Sequence, residues 1–375
     1  MQPASIYTAG VISCRKMLDW SEFLARPSVK PPARERLEGL REAPILVVGA
    51  GGSIGSALAA RLAALEPPEL VLLEASESHL YALQCQWAEA QAAVPAVFRL
   101  GSVGDRALLD EVFAVYAPGL VFHAAAFKHV PLLEEQPLAA IENNVFGTLS
   151  LMEAAAGARV ILLSTDKAVT PASIMGATKR VAEQIVLSAG GTALRLGNVL
   201  ASRGSVVEVF ADQIAAGGPL TITDPAARRY FLTIDEAVNL LLSAALEPES
   251  PALLAPALPA PHLVAELARF MARELAPGRA IPMNFTGLRA GDKETEQFWS
   301  AAEVLRPTQT EGLLSIESPA LGGSKLRSAL AQLRAALDAR DVAAALDRLQ
   351  ALVPDYTPSP ALLSLTGENI PRVSA

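Results

Sequence analysis

The residues best able to do chemistry stand together in the middle of the chain. Ser164-Thr165-Asp166-Lys167 closes the apolar run ARVILLST (158–165) and places a hydroxyl, a carboxyl and an amine side by side. A neighbouring carboxyl and amine can serve as general acid and general base, provided burial tunes them apart. Met175 and Lys179 follow at i and i+4, on one face of a helix. A solvated surface ion pair is the alternative for Asp166 and Lys167, and Thr165 could simply cap a turn.

A second motif, Gly49-Ala50-Gly51-Gly52-Ser53-Ile54-Gly55, places glycines at i, i+3 and i+6. Gly49 permits a tight turn, Gly52 lets the backbone approach a pyrophosphate, and Gly55 allows close packing on a sheet. Ser53 and Ile54 open a helix whose N-terminal amides would face the phosphates. Glu74 ends the next apolar run, nineteen residues beyond Gly55. A carboxylate there accepts hydrogen bonds from ribose hydroxyls and repels a 2′-phosphate, which favours NAD over NADP.

These groups need a scaffold. ILVVGA (45–50), ELVLLEA (69–75), AVFRLGS (96–102), LVFHAAA (120–126), ARVILLST (158–165) and TALRLGNV (192–199) are short apolar runs separated by helical stretches. Continuous apolar strands alternating with helices predict an α/β fold, a Rossmann-type doubly wound parallel sheet covered on both faces. Residues 1–43 read as an arm, 44–245 as an NAD-binding domain, and 246–375 as a smaller α/β substrate-binding and helical region. Within the second unit, residues 198–228 would contribute to the substrate site. The proline-rich segment 247–261 reads as a linker or a weak edge strand.

Composition narrows the function. The 375 residues carry 39 acidic against 31 basic side chains, a formal charge of −8, which argues against a general nucleic-acid surface. Cys14 and Cys85 cannot build a disulfide framework, and the four histidines show no metal-ligand spacing with them. No run reaches the roughly 18 apolar residues of a membrane span, and the basic residues near the start follow its apolar patch instead of preceding it. A cytoplasmic protein without metal is expected.

Longer segments resemble one family: the nucleotide-sugar 4,6-dehydratases of the CapD-like polysaccharide-biosynthesis group, within the extended short-chain dehydrogenase/reductase superfamily. They are GAGGSIGS (49–56), VFHAAAFKHVPLLEEQPLAAIENNVFGT (121–148), STDKAVTPASIMGATKR (164–180), RLGNVLASRGSV (195–206), RRYFLTIDEAV (228–238) and GLRAGDK (287–293). FLARPSV (23–29) and LVPDYTP (352–358) resemble elements flanking the catalytic domain of the longer members, which also tend to carry Met where Met175 stands.

The resemblance implies a UDP-N-acetylhexosamine substrate, bound NAD, and net loss of water to give a 4-keto-6-deoxy sugar. It assigns Asp166 as acid toward the 6-hydroxyl, Lys167 as base at C5, Thr165 as a contact of the 4-hydroxyl, and Lys179 as a partner of the nicotinamide ribose. That chemistry asks for a raised carboxyl pKa and a lowered ammonium pKa. Ser102, Val103, Ala124 and Ala125 fall with the cofactor loop residues. Ser102 stands where an Asp usually meets adenine, and Phe127 replaces a common Tyr. Lys128, Asn198, Arg203, Ser205, Val206, Arg229, Arg289 and Asp292 fall on the substrate side, the arginines suited to phosphate or uracil. Lys128 could equally face phosphate or solvent, and an ordinary surface charge is the lesser alternative for Arg229 and Arg289. Homo-oligomers are the habit of the fold. An epimerase or a non-catalytic NAD sensor on the same frame are the alternatives.

Overall fold

The structure, a computed structural model, describes residues 18–90, 94–248, 250–318 and 323–366. Cys14 and the first residues lie outside them, so the readings made on that stretch have no structural counterpart. Six strands follow the expected runs: β1 (Ile45–Val48), β2 (Leu70–Glu74), β3 (Ala96–Leu100), β4 (Leu120–His123), β5 (Arg159–Thr165) and β6 (Thr192–Leu196). Between them lie α1 (Ser53–Ala63), α2 (Glu77–Glu89), α3 (Arg106–Tyr116), α4 (Gly147–Ala154) and α5 (Ile174–Ser188). Beyond β6 come α6 (Val206–Ala215), α7 (Ile234–Leu246), β7 (Ala252–Pro256), α8 (Val264–Leu275), β8 (Val304–Pro307) and β9 (Leu313–Glu317). The strands form one sheet of nine, in the order β8-β9-β7-β6-β5-β4-β1-β2-β3.

The stretch from β3 to β7 is parallel, as a doubly wound sheet requires. Side chains alternate across such a sheet. Ile45 and Val47 of β1 pack with Leu58 and Leu62 of α1 and Leu241 of α7. Leu46 and Val48 point the other way, onto Leu109 and Val112 of α3 and Leu151 of α4. Order reverses at β1, which pairs with both β2 and β4. That reversal opens a crevice at the carboxyl ends of the strands, the place where such sheets hold ligands.

The proline-rich segment behaves differently from expectation. Ala252–Pro256 is neither linker nor edge but an interior strand, parallel to β6 on one side and antiparallel to β9 on the other. Its prolines, Pro251 and Pro256, fall before the strand and at its last residue, so Ala252–Ala255 keep their amides for the ladder. The main sheet thus continues past residue 245, where the sequence suggested a boundary, and β6 gains a neighbour instead of a bare edge.

A smaller lobe gathers α6, α8 and short strand pairs around Phe210, Phe231, Leu267 and Met271. Residues 18–43 form an arm anchored on the rest of the chain. Phe23 packs on Phe231 and Phe270, and Arg26 pairs at 2.6 Å with Glu236, which also closes the capping box of α7. α9 (Gly323–Asp338) and α10 (Val342–Leu352) cover α5 from behind, sharing a core with Ile174, Met175 and Val181. Among the described residues no helix is long and apolar enough to cross a membrane.

Candidate active site

Four strand ends converge at the crevice. Val48 ends β1 and the glycine loop begins at Gly49, whose φ of +81° suits glycine. The backbone at the end of β4 passes so close that a Cβ on Gly49 would lie 2.7 Å from the Ala125 amide nitrogen. The Ala124 N–H meanwhile bonds Val48 O at 2.8 Å. A Cβ on Gly55 would stand 2.1 Å from Gly49 O, so loop and helix touch there. A Cβ on Gly52 would meet within 4 Å only Gly49 O, leaving that face open.

Ser53, Ile54 and Gly55 take the first helical positions of α1, whose N–H groups lack intrahelical acceptors. Glu74 turns its carboxylate to the loop, accepting from Gly51 N and Ser76 N, both at 2.9 Å. Ser102 Oγ accepts from Gly104 N at 3.1 Å, while Val103 is buried against Gly147. Open helix amides, a facing carboxylate and a glycine face without cover fit a dinucleotide.

At the end of β5 the trio is assembled. Asp166 Oδ1 receives the Thr165 hydroxyl and the Lys167 amine, each at 3.0 Å, and Thr165 Oγ accepts the Lys167 N–H at 3.3 Å. Thr165 therefore both caps the turn and touches Asp166. Lys167 Nζ also donates to Asn198 Oδ1 at 3.2 Å. Asp166 is 0% exposed, whereas the Lys167 side chain is 20% exposed, so the amine faces the crevice and the carboxyl stands behind it. The pair is therefore not a solvated surface ion pair.

Burial raises the Asp166 pKa, and the nearby Glu296 charge adds to that. Lys167 goes against expectation. Burial pulls its pKa down, but the carboxylates of Asp166 and Glu296 outweigh burial and hold it above the ordinary lysine value. Lys179, buried on α5 beneath the crevice, is brought down to about 8 by burial, with the Glu183 carboxylate opposing. Its neighbour one turn back, Met175, is buried.

The expected substrate residues divide. Ser205 and Val206 open α6, and Lys128 Nζ bonds Arg203 O at 2.6 Å. Arg203 itself reaches the cofactor loop: its amide donates to Ser53 Oγ at 2.9 Å and Nη1 to Gly51 O at 2.8 Å. Arg229 is a buttress in this structure, not an exposed phosphate ligand. Nη1 donates to Arg228 O and Glu294 O and Nη2 to Lys293 O, at 2.7, 3.0 and 2.8 Å. Arg289 is well exposed and pairs with Asp292 at 2.9 Å. His123 is buried with Nε2 3.0 Å from Thr148 Oγ1, and burial holds its pKa near about 3.

Two features have no counterpart in the sequence reading. Glu296 is 2% exposed and lies 3.7 Å from Lys167 Nζ. Beneath Thr165, Ser164 Oγ donates at 2.6 Å to Glu183, which grips the fully buried Arg195 together with Glu303. Their sequence separations from the trio carry no periodic signal that would have found them.

The chain is 37% identical over 309 residues to the probable polysaccharide biosynthesis protein EpsC of Bacillus subtilis (strain 168), covering 79% of this chain and 51% of that protein. It is 35% identical over 301 residues to the capsular polysaccharide biosynthesis protein CapD of Staphylococcus aureus, covering 77% and 50%. The chain therefore spans about half the length of these curated relatives. The crystal structure of Pen from Bacillus thuringiensis superimposes with a TM-score of 0.67 at 25% identity, over 75% of this chain and 88% of that one. The profile of the polysaccharide biosynthesis protein family matches residues 45–318, and the chain belongs to that family.

Proposed function

We propose that the chain removes water from a UDP-N-acetylhexosamine, UDP-N-acetylglucosamine in the first instance, to give a UDP-4-keto-6-deoxy sugar, with NAD as resident cofactor. The observation that carries the reading is the Thr165-Asp166-Lys167 cluster, an acid and a base in contact beside a dinucleotide loop. The glycine loop, Glu74 and Lys179 would hold the cofactor, which supplies reversible hydride acceptance, from C4 of the sugar and back to C6.

One proton is enough for the Asp166–Lys167 pair. Moved from Nζ to the carboxyl across their 3.0 Å contact, it converts an ammonium and a carboxylate into an amine and a carboxylic acid. Burial favours that neutral form, most clearly at Asp166, while the neighbouring carboxylates favour the ammonium of Lys167. The proton arrives on Asp166 Oδ1, the oxygen that also meets the Thr165 hydroxyl at 3.0 Å. Lys167 then takes the C5 proton while the Asp166 proton passes through the Thr165 hydroxyl to the departing 6-hydroxyl. As C6 becomes a methyl, Lys167 returns its proton to C5, and the proton released by the 4-hydroxyl passes through Thr165 to Asp166, so the pair recovers its single proton in each turnover. Lys179 adds positive charge beside the ribose, and Met175 keeps water from that face.

Ser205, Val206 and the Lys128–Arg203 contact flank the route a diphosphate would take between α6 and the glycine loop. Incubation of the purified chain with UDP-N-acetylglucosamine, followed by mass spectrometry, tests the reading. A product lighter by one water, with no net NADH, is expected. Unchanged mass, or accumulating NADH, overturns it.

A further inference from the structure

Glu296 has no part in the chemistry described so far. It belongs to a segment without helix or strand, yet it is 2% exposed, and its two oxygens reach two different lysines. Oε1 lies 3.7 Å from Lys167 Nζ and Oε2 lies 2.9 Å from Lys293 Nζ. The segment is tied down just before that contact. Lys293 Nζ donates to Val169 O at 2.8 Å, just past the trio, and Arg229 holds the carbonyls of Lys293 and Glu294. A carboxylate brought this far from water, on an anchored loop, is costly unless cations meet it.

We propose that Glu296 is a positioning residue that keeps the single proton shared by Asp166 and Lys167 within that pair. This rests on the acid–base reading above. The groups facing the pair are Thr165 on its own strand, Asn198 beyond β6, Arg229 at the end of a short strand with Tyr230 just after it, and Glu296 with Lys293 on the anchored loop. Of these, Glu296 is the one that adds negative charge, 3.7 Å from Lys167 Nζ. Burial and that charge favour the protonated Asp166, and the same charge opposes burial at Lys167. Lys293 draws part of the Glu296 charge away, so the two residues act on the pair in opposite senses.

The test is a titration of the Lys167 ammonium by NMR in protein labelled with 15N-lysine, the signal assigned by its loss in Lys167→Met. Glu296→Gln is expected to lower the titration midpoint by about one pH unit, the effect of removing an opposite charge within 4–6 Å. Lys293→Met is expected to raise it, and Glu296→Asp to fall between Glu296→Gln and the parent. If the chain turns over UDP-N-acetylglucosamine, the bell of kcat/KM against pH moves in the same directions with KM little changed. A Lys167 midpoint that is unmoved, or moves the same way in Glu296→Gln and Lys293→Met, overturns the proposal. If Glu296→Gln does not fold, Lys293→Met decides by the sign of its shift. The NMR readout stands whether or not dehydration is observed, so failure of the functional reading and failure of this inference are separate results.

Discussion

Replacing Arg195 by methionine tests whether the ion cluster beneath Thr165 supports the site. The guanidinium is 0% exposed and binds Glu183 at 2.9 and 3.0 Å, Glu303 twice at 2.9 Å, and Phe298 O at 2.8 Å. Removing one partner of a buried ion pair costs about 3–5 kcal/mol, because the other charge stays buried. Arg180 still reaches Glu183 at 2.9 Å and Glu303 at 3.2 Å, so the two carboxylates are left sharing one cation. The expected loss is therefore at the low end, about 3 kcal/mol, read as a lower urea midpoint at unchanged m value. Arg195→Lys keeps the charge without the fork and should lie between the two proteins.

The pH dependence of that loss has a definite sign. Burial alone would raise the Glu303 pKa, but Arg195 brings it down to about 2, so its contribution is present above the ordinary glutamate value. The stability gap between parent and variant should close as pH falls from about 4.5 toward about 2. A loss under about 1 kcal/mol near neutral pH, or a gap that widens in acid, would refute the argument.

Further outcomes follow from the same geometry. Asp166→Asn and Lys167→Met should each lower turnover by about 10²–10⁴-fold while equilibrium binding of UDP, followed by calorimetry, persists. Gly49→Ala puts a Cβ against the Ala125 backbone at a φ of +81°, so a fluorescence titration should show NAD binding lost and unfolding should be easier by about 1–3 kcal/mol. Arg26→Ala strands the buried Glu236 carboxylate, so the chain should lose about 3 kcal/mol and limited proteolysis should cut first near residue 26.

What could be read from the residues follows from what periodicity encodes. β1, β2, β4 and β5 are uninterrupted apolar runs because a parallel strand is buried on both faces, and the glycine loop is local in sequence. Segment 251–256 defeated the same logic, since a strand can tolerate prolines at its ends and composition does not report register. Asp166 and Lys167 were legible as neighbours, but the charge on Lys167 was not. It depends on Asp166 together with Glu296, the latter more than a hundred residues away, at a distance that only the folded chain fixes. Arg229 was legible as a forked cation, yet three backbone carbonyls occupy it, and main-chain partners leave no mark in side-chain types.

The most direct measurement follows one labelled hydrogen. UDP-N-acetylglucosamine carrying deuterium at C4 is incubated with the chain, and the product is read by NMR and mass. Deuterium recovered in a new C6 methyl group, on a sugar short of one oxygen, is the result the account requires. Deuterium still on C4 of a sugar that keeps its 6-hydroxyl, with or without an inverted centre, would contradict it.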